Sequence, residues 1–167
     1  MAMKNVIIRD VRPEELGELH ALNQANTPHV GDLSMAQMKR LHALAACFRV
    51  AESKSGELAA FVIAFDPAAA YGSENFKWFR EHCEKFIYID RIAVAPGARR
   101  TGIASGLYSD LEAFAAGRGF DKLTAEYNLE PPNAISARFH AAFGFSEVGT
   151  QKTEGGKKTV SLQLKHI

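Results

Sequence analysis

Apolar residues recur along the chain at two spacings, and these spacings predict alternating strands and helices. Short runs rich in β-branched and aromatic residues predict strands at 6–12, 47–52, 58–65, 86–95, 120–127, 145–150 and 158–164. Apolar positions three or four residues apart predict helices at 13–23, 34–45, 99–117 and 133–143, with a shorter helix within 68–85. The predicted order is β-α-α-β-β-α-β-α-β-α-β-β.

The connections between these elements indicate how the strands pair. A helix joins the strands at 86–95 and 120–127, which predicts parallel neighbours with a right-handed crossover. The turn sequence at 54–56 is typical of a hairpin and predicts antiparallel neighbours. We therefore expect an α+β fold with a mixed, mostly antiparallel central sheet, and a single domain over residues 1–167.

Composition narrows the class of protein. The chain has 167 residues, of which 47% are hydrophobic and 23% charged, as in an ordinary globular domain. Its net charge of +1 argues against a protein that coats nucleic acid. The longest apolar run, 58–65, is far shorter than the about 20 residues of a membrane span. No secretory signal is visible at the N-terminus, so we expect a cytoplasmic protein with no membrane partner.

Cysteine and histidine spacing gives no metal motif. The two cysteines, Cys47 and Cys83, belong to no Cys-x-x-Cys pair, and the six histidines include no H-E-x-x-H. We expect reduced thiols and no bound metal.

The joint between the strand at 86–95 and the following helix has the composition of an anion site. N–H groups at a helix N-terminus attract anions, and the helix dipole strengthens that attraction. Gly102 lets a ligand approach the backbone, small Ala104 keeps the first turn uncrowded, and Arg99 and Arg100 add cationic side chains. The sequence therefore predicts a phosphate-binding loop at 99–104.

Two common nucleotide motifs fit this loop poorly. Gly97 and Gly102 have the spacing of a nucleotide P-loop, but Ile103 and Ala104 stand where that motif needs Lys and Ser or Thr. No G-x-G-x-x-G follows a strand, which argues against a dinucleotide site. Nucleotide hydrolysis is therefore a distant alternative.

Two segments resemble the GNAT superfamily of acetyl-CoA-dependent N-acyltransferases. Arg99, Gly102 and Ala104 match its pyrophosphate motif R/Q-x-x-G-x-G/A, after a segment at 92–96 that resembles the exit of the family's fourth strand. The segment 133–145 resembles the family's last helix, N-x-x-A/S-x-x-L/F-Y-x-x-x-G-F. The predicted element order fits the GNAT fold along essentially the whole chain, which implies helices on both faces of the sheet.

The resemblance implies acetyl-CoA as co-substrate, a primary amine as acceptor and direct attack in a ternary complex. Acetyl-CoA is expected between the strands at 86–95 and 120–127, which splay apart in the family. The backbone at 92–94 would hold the pantetheine arm and polarise the thioester, and 99–104 would bind the pyrophosphate. The expected cofactor-binding residues are Ile92, Ala93, Val94, Arg99, Arg100, Thr101, Gly102, Ile103, Ala104, Asn133, Ser136 and Phe139.

Asp90 is the first candidate for acid–base chemistry. It shares a strand face with Tyr88 and Ile92, so we expect a raised pKa that suits a general base. It also resembles the position where several family members carry a catalytic Glu. The alternative is a structural carboxylate paired with Arg91 or Arg138.

His140 is the second candidate, because it stands where the family usually has the Tyr that protonates the leaving thiolate. An imidazole can donate or accept a proton near neutrality, and His140 lies one helical turn after Ser136. The alternative is a histidine that contacts only the CoA arm. Tyr127, Tyr108 and Tyr88 are further candidate donors.

The acceptor pocket is the least determined part of the sequence. In the family the loop at 23–32 and the final hairpin at 150–158 shape this pocket. The segment 68–85 is longer than a hairpin needs, so it is either an aromatic flap over the acceptor or an amphipathic helix that caps the core or makes a dimer contact. The expected substrate-binding residues are Asn26, Tyr71, Trp78, Tyr88 and Asn128.

The function predicted is transfer of an acetyl group to a small-molecule or protein amine. The alternative from another class is an acyl-CoA-binding module without catalysis, which the histidine at the Tyr position keeps open. A homodimer also remains open.

Overall fold

The structure is a computed structural model and describes residues 5–167. Seven strands form one mixed sheet in the order β1-β2-β3-β4-β5-β7-β6. The strands are β1 (Val6–Asp10), β2 (Cys47–Ser53), β3 (Leu58–Phe65), β4 (Phe86–Val94), β5 (Lys122–Glu130), β6 (Ser146–Thr153) and β7 (Lys158–His166). The helices are α1 (Leu16–Gln24), α2 (Met35–Leu44), α3 (Glu74–His82), α4 (Ile103–Gly117) and α5 (Ala134–Phe143).

The chain divides into two compact units. The first comprises the residues up to Phe65 together with Ile89–Phe114. In it β2 pairs antiparallel with both β1 and β3, and every residue of β3 is buried because this strand has sheet neighbours and core on both faces. Leu19 of α1 and Met38 of α2 have no exposed surface and complete this core.

The second unit comprises Asp66–Tyr88 and Ala115–Ile167. Here β7 lies between β5 and β6 and pairs antiparallel with both. The start of β4 is parallel to β5, in a register that pairs Phe86 with Lys122 and Tyr88 with Thr124. The mixed, mostly antiparallel sheet and its parallel β4–β5 pair are therefore confirmed.

The start of α2 and both ends of α5 lie where the capping chemistry of the sequence predicts them. Ser34 caps α2 by accepting a hydrogen bond from the N–H of Gln37, whose side chain accepts from the N–H of Ser34 in return. Asn133 caps α5 through the N–H of Ser136. Gly144 ends α5 with a φ of 102°, a left-handed conformation that favours glycine.

Several predicted boundaries differ from the structure by two to four residues, and two of them have a clear local cause. The helix expected at 99–117 begins at Ile103, because Arg100 and Gly102 have φ values of 60° and 84° and cannot continue a right-handed helix. The strand expected at 120–127 lies at Lys122–Glu130 and ends directly before Pro131, which lacks the N–H that a strand ladder uses.

Helix α3 occupies the long connection after β3. Ser73 caps it, and its Phe76 and Phe79 are fully buried. Both rings pack against Phe86 and Tyr88 at the start of β4, with centroid distances of 5.5–6.3 Å. This packing is what an amphipathic helix that caps the core requires. Across residues 5–167, no helix has the length and apolarity to cross a membrane.

Candidate active site

The predicted phosphate-binding loop precedes the N-terminus of α4. Arg99, Arg100 and Gly102 are exposed, whereas Ile103 is buried and anchors the start of the helix. The Thr101 hydroxyl donates a hydrogen bond of 2.5 Å to the carbonyl of Ala98, which braces the turn. The first N–H groups of a helix have no partner within it, so they are available to an anion here. The donor set fits a diphosphate.

The rest of the expected cofactor backbone lies just before this loop. Ala93 is buried, and Ile92 and Val94 are half-buried near the end of β4. Beyond the strand, the N–H of Ala95 donates to the carbonyl of Ala59 at 2.8 Å. Ala104 lies in the first turn of α4 and is half-buried. This unit therefore holds nine of the predicted cofactor-binding residues in one continuous segment, from 92 to 104.

The same unit brings Asn26 to the loop. Asn26 follows α1, is 8% exposed, and accepts a hydrogen bond of 3.0 Å at its Oδ1 from Nη2 of Arg99. Its Nδ2 donates to the carbonyl of Leu22 at 2.9 Å, which fixes the orientation of the amide. A residue predicted to bind the acceptor thus contacts a residue predicted to bind the pyrophosphate.

The Asp90 side chain, 5% exposed, has a direct ionic partner. Nε of Arg91 donates to its Oδ2 at 2.8 Å. Nη1 of Arg91 also donates to Oδ1 of Asn23 at 3.1 Å and to the carbonyl of Gly31 at 2.9 Å. The ion pair with Arg91 is a structural alternative that the sequence offered, and the other hydrogen bonds of Arg91 connect β4 to α1 and to the segment after it.

His140 lies in the second unit, on α5, and is 4% exposed. Its Nδ1 is 2.8 Å from the carbonyl of Ser136 and 3.2 Å from the hydroxyl of the same residue. Because a carbonyl oxygen only accepts, Nδ1 carries the proton and Nε2 carries the lone pair in the neutral ring. Burial lowers the pKa of His140 below its usual 6.5, against a smaller opposing effect of the hydrogen bond.

Aromatic rings surround this imidazole. Phe139, Phe145 and Tyr127 lie with their ring centroids 5.1–5.8 Å from that of His140. Rings on several sides exclude water, which explains the lowered pKa. The predicted residues Ser136 and Phe139 therefore contact His140, and Tyr127 is the alternative donor that lies closest to it in this unit.

Two other predicted site residues, Asn133 and Asn128, lie where β5 meets α5. Asn133 uses its side chain as the cap of α5. Its N–H donates to the carbonyl of Asn128 at 3.0 Å, so the end of β5 and the start of α5 are held together. Their proposed contacts with acetyl-CoA and acceptor stay predictions.

Tyr88 is fully buried, and its hydroxyl has a defined partner. Tyr88 Oη donates to Oε1 of Glu126 at 2.9 Å. Glu126 is not among the predicted site residues, but β5 continues to Glu130 and places this carboxylate within the strand. The only sequence signal was its position between Ala125 and Tyr127 in an apolar strand.

The aromatic residues of the 68–85 segment pack within their own unit. Tyr71 lies 5.8 Å from the ring of Phe76. Trp78 stacks on His82 at 4.0 Å and lies over Gly149 of β6, where an added Cβ would be 3.0 Å from the indole. Their role toward an acceptor stays a prediction. Among residues 5–167, no group of three or more His, Cys, Asp or Glu side chains is placed to hold a metal ion.

A mixed seven-stranded sheet with a parallel β4–β5 pair matches the fold of GNAT acetyltransferases. The chain matches the family model described as acetyltransferase (GNAT) family over residues 16–145. The match covers most of the chain, and the chain therefore belongs to the GNAT acetyltransferase family, whose members use acetyl-CoA.

Individual relatives agree with this assignment. Phosphinothricin N-acetyltransferase from Streptomyces coelicolor is 46% identical over 72 residues, which are 40% of this chain and 37% of that protein. The match thus spans little more than a third of the relative's length. Among solved structures, Ard1 from Thermoplasma volcanium has a TM-score of 0.77 at 16% identity, covering 98% of both chains. The ribosomal-protein-S18-alanine N-acetyltransferase from Escherichia coli has a TM-score of 0.74 at 18% identity, covering 97% of this chain and 94% of its own. These two show a shared fold.

Proposed function

We propose that the chain transfers an acetyl group from acetyl-CoA to the primary amine of a small molecule, by direct attack of the amine. The observation that carries the proposal is the loop at 99–104, where two exposed arginines precede the N-terminus of α4. A diphosphate would receive hydrogen bonds from the backbone and charge from both guanidinium groups.

The buried imidazole of His140 supplies the proton transfer in this proposal. With Nδ1 donating to Ser136 and the pKa lowered, the ring is neutral at pH 7 and Nε2 is its basic atom. His140 would accept the proton that the amine loses as the new C–N bond forms. It would then return that proton to the sulfur as the C–S bond breaks, giving the amide and the free thiol of CoA. His140 thus acts first as a general base and then as the proton donor to the thiolate.

Asp90 has a different role in the proposal. Its carboxylate is held by Arg91, which is bonded to Asn23 and Gly31. This arrangement supports a positioning role for Asp90 toward the segment after α1 rather than proton transfer. Replacement of Asp90 by Asn would then raise the acceptor KM more than it lowers kcat.

The acceptor class rests on the relative from Streptomyces coelicolor, whose name specifies a small amino compound. We propose a small-molecule primary amine, and phosphinothricin is the natural first compound to test. Polyamines, amino acids and a peptide with a free N-terminus complete a useful panel.

Release of free thiol from acetyl-CoA in the presence of each amine tests the proposal. We expect turnover with at least one small amine, and a fall in kcat of about 100-fold or more for His140→Phe. The double variant Arg99→Ala/Arg100→Ala should raise the KM for acetyl-CoA. Arg40→Ala, which removes an exposed arginine of α2, is the matched control and should behave as wild type.

Two results would contradict the proposal. Binding of CoA without turnover of any amine would indicate that the protein is an acyl-CoA-binding module without catalysis. Full activity of the His140→Phe variant would show that the imidazole takes no part in the reaction.

A further inference from the structure

Asn26 lies where the segment after α1 meets the phosphate-binding loop. It is 73 residues away from Arg99 in sequence, yet its Oδ1 accepts a hydrogen bond of 3.0 Å from the Arg99 guanidinium. We propose that Asn26 is a positioning residue that holds Arg99 in the orientation needed to bind the diphosphate of acetyl-CoA. This inference rests on the proposed function, and it replaces the expected direct contact of Asn26 with the acceptor.

The geometry of the amide suits this role. Asn26 is 8% exposed, and its Nδ2 donates to the carbonyl of Leu22 one helical turn earlier. The amide therefore cannot turn without losing a hydrogen bond to α1, and its Oδ1 has a fixed direction. An amide held in this way is a rigid acceptor for a mobile side chain.

The hydrogen bond to Asn26 uses only one N–H group of Arg99, so the guanidinium can still bind an anion. A guanidinium has five N–H donors, and the contact with Asn26 uses Nη2. An exposed arginine loses rotamer freedom when it binds a ligand, and this loss has an entropic cost. Asn26 removes part of that cost before the ligand arrives, because the side chain is already held. The neutral amide does this without neutralising the positive charge.

Asn23 provides a matched comparison in the same region. It is also a buried asparagine near the end of α1, and it accepts from Arg91 rather than from Arg99. Its Nδ2 donates to the carbonyl of Gly31 at 3.0 Å. Removal of Asn23 therefore disturbs the same segment without touching the loop at 99–104.

The test compares acetyl-CoA with S-acetyl-pantetheine, which has the same thioester but lacks the diphosphate and the adenosine. For Asn26→Ala we expect the ratio of kcat/KM for acetyl-CoA to kcat/KM for acetyl-pantetheine to fall about three- to tenfold. Calorimetry should show a CoA dissociation constant raised by a similar factor. Asn23→Ala should leave the ratio at the wild-type value, even if both activities fall together.

A double-mutant cycle ties the effect to Arg99. In an Arg99→Ala background, Asn26→Ala should have no further effect on the ratio or on CoA affinity. If Asn26→Ala does not fold, Asn26→Ser keeps a polar side chain too short to reach the guanidinium and should give the same result.

Each failure has a distinct signature. An unchanged ratio in Asn26→Ala, or an equal change in Asn23→Ala, would overturn the positioning role while wild-type turnover upholds the acetyltransferase. Wild-type protein that neither binds CoA nor releases thiol would overturn the proposed function itself.

Discussion

At the scale of single residues, His140 shows how burial sets chemistry. Its hydrogen bond to Ser136 selects the tautomer, and the surrounding rings lower its pKa. The sequence predicts that His140 lies in the last helix, one turn after Ser136, and the structure confirms both points. The direction of the pKa shift could not be predicted, because it depends on burial by Phe145 and Tyr127, which lie outside this helix.

The lowered pKa of His140 predicts a pH-dependent stability. Below about pH 6.5 the unfolded chain binds a proton at this residue more readily than the folded chain does. Its neutral form therefore stabilises the fold fully above pH 6.5, and this contribution is lost as the pH falls from 6.5 toward the lowered value.

Chemical denaturation between pH 7.5 and 5.5 measures the effect. We expect the free energy of unfolding to fall less with acidification in His140→Gln than in wild type, by at most about 1.4 kcal/mol for each unit of pKa shift. His166→Gln, at an exposed position, is the control and should keep the wild-type slope. Parallel curves for wild type and His140→Gln would contradict the assignment.

At the scale of elements, helix caps could be predicted from the sequence, whereas the packing of one element on another could not. The caps at Ser34 and Asn133 and the stop at Gly144 follow from hydrogen bonds within four residues, so sequence predicts them well. The helical spacing of Phe76 and Phe79 likewise predicted α3. The contact of Trp78 with Gly149 could not be predicted, because it depends on how β6 lies beside α3 within their unit.

Two glycine substitutions should change the stability of the fold in opposite directions, because only one of the two glycines lies against a neighbouring side chain. A Cβ at Gly149 would lie 3.0 Å from Trp78, so Gly149→Ala should destabilise the protein by about 1–3 kcal/mol through overpacking. Gly17 lies in α1 with no atom within 4 Å of an added Cβ, so Gly17→Ala should stabilise by about 0.5–1 kcal/mol.

Urea denaturation of both variants gives the two free energies of unfolding. The prediction for β6 is wrong if Gly149→Ala is as stable as wild type, since the indole would then have room to move.

At the scale of the whole molecule, the mixed, mostly antiparallel sheet, its parallel β4–β5 pair and the family were predictable, whereas the contacts that join distant segments were not. The bonds from Arg91 to Gly31 and from Arg99 to Asn26 connect residues 60 and 73 positions apart. No local pattern in the sequence encodes such a pair. The motif at 99–104 identified the loop, but the structure supplied the side chain that orients its first arginine.

A ligand held by that loop should stabilise the folded chain through mass action. At a concentration 100 times its dissociation constant, CoA should raise the free energy of unfolding by about 2.7 kcal/mol. Thermal denaturation with increasing CoA follows this effect, and pantetheine at equal concentration should give a smaller shift. An identical shift for CoA and pantetheine would show that the diphosphate does not contribute to binding.

The stacking of Trp78 on His82 has a spectroscopic consequence. Trp78 is the single tryptophan of the chain, and its indole lies parallel to the imidazole of His82 at 4.0 Å. Emission from the native protein should therefore change when α3 loosens and this contact is lost. The chain thus carries an intrinsic optical reporter of one helix, which needs no label and no added probe.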